Sequence, residues 1–77
     1  MDRQQIERAA SALASELSDF MVGEELFVCE TALMALIAHL WEQRGVPSDK
    51  IEAWLRQITA FLNEYEEIEP KEFTGLN

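Results

Sequence analysis

The sequence is poor in basic residues. Six lysines and arginines stand against fifteen aspartates and glutamates, which gives a formal net charge of −9. Lysine and arginine supply most of the affinity of a protein for a phosphate backbone, and clusters of them attract proteins to anionic lipid surfaces. We therefore expect no direct binding to nucleic acid and no membrane partner.

The sequence also has little cysteine and no long apolar run. Cys29 is the one cysteine and cannot form a disulfide within the chain, which is typical of a reducing compartment. The most apolar stretch, residues 26–41, is shorter than the roughly 20 residues of a membrane-spanning helix and contains Glu30 and His39. The first ten residues are polar and charged, unlike a secretory leader. These features predict a soluble cytoplasmic protein.

No sequence motif indicates catalysis. The sequence has no glycine-rich phosphate loop, no cysteine or histidine set with metal-ligand spacing, and no nucleophile paired with a base. His39 is the single histidine and is expected on the surface, and Cys29 is expected to pack as a small core residue. We predict no catalytic residue, no cofactor, no metal site and a protein that is not an enzyme.

Apolar residues recur at three- and four-residue steps through most of the chain, which predicts helices. Gly23 interrupts the pattern, and Gly45 with Pro47 gives a strong stop signal. The expected fold is a small all-α three-helix bundle over residues 1–69 with a C-terminal tail over 70–77, and dimerisation could complete it. The three predicted helices span residues 2–21, 24–44 and 49–68.

Two helix starts have the spacing of a capping box, in which the first side chain and one three residues later each accept a backbone hydrogen bond. Asp2 with Gln5 has this spacing at the first helix. At the third helix Ser48 or Asp49 is the expected cap, and Asp49 with Glu52 has the spacing of the box. At the second helix, Glu24 and Glu25 are expected in the first turn, where acidic side chains suit the positive end of the helix dipole.

The second predicted helix is apolar over about 200° of its circumference at 100° per residue. A helix that serves one core needs a stripe only somewhat wider than 100°. Either helices 1 and 3 cover the arc from two sides, or part of it is a homodimer seam or a site for another protein. The residues of this arc that we expect to bind a partner are Leu33, Met34, Ile37 and Trp41.

Glu30 is a carboxylate near the centre of that apolar arc. Burying a charge is costly unless it is paired. One interpretation is that Glu30 bends out to solvent or pairs with an arginine of helix 1 or helix 3. The other is that it binds a basic residue of a partner or of a second copy.

The C-terminal end is acidic. Negative charge at the end of a helix opposes the helix dipole, so this cluster is either a solvated, fraying end or a handle for a partner with a basic surface. In the tail, Phe73 and Leu76 either dock onto the bundle or contact a partner. The cluster consists of Glu64, Glu66, Glu67 and Glu69.

Two functional hypotheses follow. The first is a non-enzymatic protein–protein interaction module, such as a regulator, inhibitor or assembly factor, which acts as a homodimer through the helix 2 face and the acidic end. The alternative is an inhibitor that mimics nucleic acid, with carboxylates in place of phosphates, and occupies a basic DNA- or RNA-binding protein. The expected partner-binding residues are Glu30, Leu33, Met34, Ile37, Trp41, Glu64, Glu66, Glu67, Glu69 and Phe73.

Overall fold

The computed structural model describes residues 1–65 and 70–76 and confirms the all-α, three-helix fold. Helices account for 74% of the described part of the chain. They are α1 (Arg3–Met21), α2 (Leu26–Gln43) and α3 (Ser48–Asn63).

α1 begins as the sequence predicts. The Asp2 carboxylate accepts a hydrogen bond from the backbone N–H of Gln5 at 2.8 Å, and the Gln5 side chain accepts one from the Asp2 N–H at 3.0 Å. This capping box satisfies two donors that the helix itself leaves unpaired. The helix ends at Met21, and Gly23 turns the chain with a φ of +88°, a conformation that favours glycine.

α2 starts two residues later than predicted, so Glu24 and Glu25 lie outside its first turn. Glu25 is the N-cap residue, and its side chain makes no capping hydrogen bond. A backbone carbonyl from the tail takes this place, because Lys71 O accepts a 2.7 Å hydrogen bond from the N–H of Leu26. At the other end, Gly45 has the predicted left-handed conformation, with a φ of +81°.

α3 differs from the prediction at both ends. Pro47 is its N-cap residue and no side chain caps it, so the predicted capping box between Asp49 and Glu52 is wrong. The Pro47 carbonyl instead accepts the first backbone hydrogen bonds of the helix, from the N–H groups of Lys50 at 3.0 Å and Ile51 at 3.3 Å. The helix ends at Asn63, and the next two N–H groups donate to carbonyls three residues earlier. The rest of the predicted helix, from residue 66 on, lies outside the described residues.

The best-packed pair of helices is α2 with α3. Trp41 of α2 and Trp54 of α3 meet edge to face, with 4.7 Å between the ring centroids and 61° between the ring planes. Ile51 of α3 is buried, whereas α1 has at most marginal contact with either of the other described helices. The apolar arc of α2 is therefore covered mainly from one side, by α3.

The chain is open and flat for its size. Its radius of gyration is 14.6 Å, against about 11.5 Å for a compact chain of this length. Its principal dimensions are 42 × 33 × 16 Å. The only apolar side chains that are buried in the described part are Cys29 and Ile51. With so small a core, twelve large hydrophobic residues of the described part are exposed.

Candidate protein-binding surface

The α1 stripe is an apolar row that runs the length of the first helix. Its members recur alternately at four and three residues, which is the spacing of a coiled-coil seam. Leu13 is 57% exposed and Phe20 is 84% exposed, and every residue before Leu17 is exposed. Between Ile6 and Leu13 the stripe therefore lacks a covering element among the described residues, whereas Leu17 is half-buried. It consists of Ile6, Ala10, Leu13, Leu17 and Phe20.

The outer face of α2 is a second uncovered apolar surface. Phe27 is apolar and 63% exposed, so neither α1 nor α3 covers it. The apolar atoms around Ala32 and Ala35 line a shallow, open hollow. The face becomes polar near His39, one turn before the helix ends. It consists of Phe27, Val28, Thr31, Ala32, Ala35, Leu36 and Leu40.

The predicted arc residues lie on the opposite, inner side of α2. Leu33, Met34, Ile37 and Trp41 are half-buried and share the side of the helix on which Trp41 contacts Trp54. These predicted residues lie at the centre of the arc, whereas the most exposed apolar side chains of α2 lie toward its edges and beyond. The sequence signal for an uncovered apolar surface on α2 was the width of the arc, because α3 alone covers only part of it.

Glu30 is half-buried on that same inner side. Within the described residues its carboxylate has no hydrogen bond and no ion pair. The two arginines that form ion pairs use neighbours on their own helices: Arg3 Nε lies 3.2 Å from Glu7, and Arg56 lies 3.8 Å from Glu52. The predicted pairing of Glu30 with an arginine of α1 or α3 is therefore not what the described side chains form.

The acidic end is only partly described. Glu64 is exposed just after α3 and caps its C-terminus through its backbone N–H. Glu66, Glu67 and Glu69 lie outside the described residues, so the predicted acidic handle rests on the sequence.

The C-terminal tail docks onto the connection between α1 and α2. The N–H of Gly23 donates to Phe73 O at 2.9 Å, and the N–H of Phe73 donates to Glu24 O at 2.8 Å. Glu25 and Glu72 form an isolated antiparallel bridge. Phe73 is half-buried here, as one of the two sequence interpretations expected, whereas Leu76 is 63% exposed.

Ser18 lies off the α1 stripe, on the polar side of the helix by its periodicity, and yet it is buried. It is only 4% exposed. A Cβ on Gly75 would lie 3.7 Å from Ser18 Oγ, so the tail crosses α1 at this residue. The tail has no period-two pattern in the sequence that would predict its pairing with the connection between α1 and α2. The burial of Ser18 could therefore not be predicted.

The described residues hold no group of acidic, histidine and cysteine side chains suited to a metal ion. His39 is exposed, with Nε2 3.0 Å from the Gln43 side-chain nitrogen, and Cys29 is buried with Sγ 3.9 Å from Met21 O. Both lie where the sequence predicted. None of the described helices combines the length and the apolarity that crossing a membrane requires.

These features define a small all-α protein with three helices, two uncovered apolar faces and a docked tail. Comparison with protein-family models, with curated proteins and with solved structures finds no match to this chain.

Proposed function

We propose that this protein is a non-enzymatic protein–protein interaction module, and that another protein chain covers the α1 stripe and the outer face of α2. Roles as a regulator, inhibitor or assembly factor would all use such a surface. The proposal moves the apolar contact from the inner residues Leu33, Met34, Ile37 and Trp41 to the faces that are open in the single chain.

The observation that carries the proposal is the accessible surface of the chain, 6701 Å². A compact monomer of 8.8 kDa is expected to expose about 4,800 Å². The excess of about 1,900 Å² is more than the roughly 800 Å² that each partner contributes to a standard interface. Apolar side chains are prominent in it, because twelve large hydrophobic residues of the described part are exposed.

The charge of the chain adds a preference for the kind of partner. A net charge of −9 disfavours nucleic acid and supports either a partner with a basic surface or a contact through the uncharged faces alone. We extend the proposal to a homodimer, since a small helical protein with a thin core often completes it by oligomerisation.

Sedimentation of the labelled full-length chain in an extract of the cells that make it tests the proposal. The wild-type chain should sediment in a complex heavier than a single chain. The double variant Phe20→Ser with Phe27→Ser should sediment as a monomer with unchanged helix content, because both rings are exposed in the single chain. The control, Gln4→Ser with Gln57→Ser, changes two exposed polar residues and should behave as wild type.

The proposal is wrong if the wild-type chain sediments as one chain in the extract. It is also wrong if the double variant forms the same complexes as the wild type.

A further inference from the structure

We infer that the chain that covers these faces is a second copy of this protein, and that the two copies exchange their first helices. The α1 stripe of each copy would lie on the outer face of α2 of the other. This inference rests on the proposed function, because it names the partner of the same surface.

The area of the open surface fits a dimer. An excess of about 1,900 Å² on each chain gives roughly 3,800 Å² for two, within the range of 2,000–5,000 Å² or more that obligate homodimers bury. A two-fold axis would create the contact between α1 and α2 twice, because the α1 stripe of each copy would lie on the outer face of α2 of the other. Pairing of α1 with α1 alone would leave the outer face of α2 in water.

The two faces also match in length and in side-chain size. At 1.5 Å per residue, Ile6 and Phe20 are about 21 Å apart along α1, and Val28 and Leu40 are about 18 Å apart along α2. The middle of the α1 stripe carries Leu13, whereas the middle of the outer face carries Ala32 and Ala35. Large side chains on one helix opposite small ones on the other allow close packing.

The distribution of charge favours a second copy over a basic partner. None of the residues that make up the α1 stripe and the outer face of α2 is charged, and the exposed pair His39 and Glu42 lies at the C-terminal edge of that face. Two copies can therefore meet along most of these faces without burying a charge. A basic partner would gain binding free energy mainly from carboxylates at the centre of the contact, and the centres of both faces have no carboxylate. The repulsion between two chains of −9 acts at longer range and is screened by salt.

Sedimentation equilibrium of purified full-length variants tests the exchange. Leu13→Glu and Ala35→Glu should each raise the dissociation constant of the dimer at least about 100-fold, because each change lies twice in the interface. Ser15→Glu adds the same charge on the opposite side of α1 and should change the constant less than about three-fold. All three residues are exposed in the single chain. The circular dichroism of Ser15→Glu should match that of the wild type, and any helix content lost by Leu13→Glu or Ala35→Glu should return at protein concentrations that restore the dimer.

Disulfide trapping tests which helices meet. In a Cys29→Ser background, a mixture of the Leu13→Cys chain and the Ala35→Cys chain should form a disulfide between chains under mild oxidation. These positions lie near the middle of each face, so the result does not depend on the relative direction of the helices. Efficient linking of Leu13→Cys chains to one another, without linking to Ala35→Cys, would overturn the exchange.

The outcomes separate this inference from the proposed function. A wild-type chain that is monomeric when pure but complexed in the cell extract would overturn the inference and the extension to a homodimer, and would leave the interaction module with a different protein as its partner. A dimer that Leu13→Glu and Ala35→Glu do not weaken would also overturn the exchange alone. A chain that is monomeric both when pure and in the extract would overturn both.

Discussion

Glu30 is a half-buried carboxylate surrounded on α2 by apolar neighbours. Leu26, Leu33, Met34 and Ile37 lie three, four or seven residues from it along the helix, and no described side chain pairs with it. A partly desolvated carboxylate without a partner costs free energy that an apolar side chain would not. The inner side of α2 therefore contains one half-buried carboxylate among apolar side chains.

We expect Glu30→Leu to raise the free energy of unfolding by about 1 kcal/mol, because it removes the desolvation cost and adds apolar contact. Urea unfolding followed by circular dichroism at one fixed protein concentration measures this. Glu30→Gln, which removes the charge and keeps the shape, is the matched control and should fall between wild type and Glu30→Leu. A marked loss of stability in both variants would mean that the carboxylate forms a stabilising pair. A gain in stability with loss of association would identify Glu30 as a partner contact.

Individual side chains were predictable from sequence where the cause was local. The Asp2 capping box depends on residues three positions apart, and it forms as predicted. The burial of Ser18 depends on Gly75, which is 57 residues away in the sequence. Helical position alone put Ser18 on the polar face, because the periodicity of α1 carries no information about the tail.

At the scale of elements, the tail and the start of α2 depend on each other. The first N–H groups of a helix have no partners within it, and α2 has no side-chain cap. The hydrogen bond from Leu26 N–H to Lys71 O fills part of that gap. The tail thereby fixes the connection between α1 and α2, and with it the direction in which α1 projects.

Substitution of Gly75 tests this role. Its φ of +103° is strained for any residue with a Cβ, so Gly75→Ala should lower the free energy of unfolding by about 1–2 kcal/mol. Hydrogen exchange should accelerate at the N–H groups of Gly23, Leu26 and Phe73, which form the tail contacts. Among the N–H groups of α3, the order of exchange rates should be the same in the variant as in the wild type.

Thr74→Ala is the control for this substitution. Thr74 is exposed beside Gly75, and its replacement should leave both the stability and the exchange pattern unchanged. Equal behaviour of Gly75→Ala and wild type at the Leu26 N–H would contradict the view that the tail caps α2.

The number and type of the elements were predictable, but their arrangement was not. A period of 3.6 residues with Gly23, Gly45 and Pro47 as breaks identifies three helices and places all their ends within two residues, except the end of α3 at Asn63, which was predicted at residue 68. An amphipathic stripe predicts that one side of a helix packs against apolar surface, but it does not identify the element or chain that supplies that surface. Within the described residues, almost no apolar surface packs against the α1 stripe. Only α3 packs against α2, and it does so on one side.

At the scale of the whole molecule, the single chain has a surface that is too large for its mass. The chain exposes 6701 Å², whereas a compact chain of this mass exposes about 4,800 Å². The core is correspondingly small, and its burial must offset the loss of chain entropy on folding. Covering by a second chain would supply the missing apolar burial, and the stability of the fold would then depend on protein concentration.

Sedimentation equilibrium of the wild-type chain over a dilution series, at about 50 mM and about 500 mM salt, tests this account most directly. We predict a dimer of 8.8 kDa chains that dissociates on dilution and binds more tightly at high salt, because salt screens the repulsion between two chains of −9. A chain that stays monomeric at every concentration and at both salt levels would contradict the claim that a second copy completes the fold.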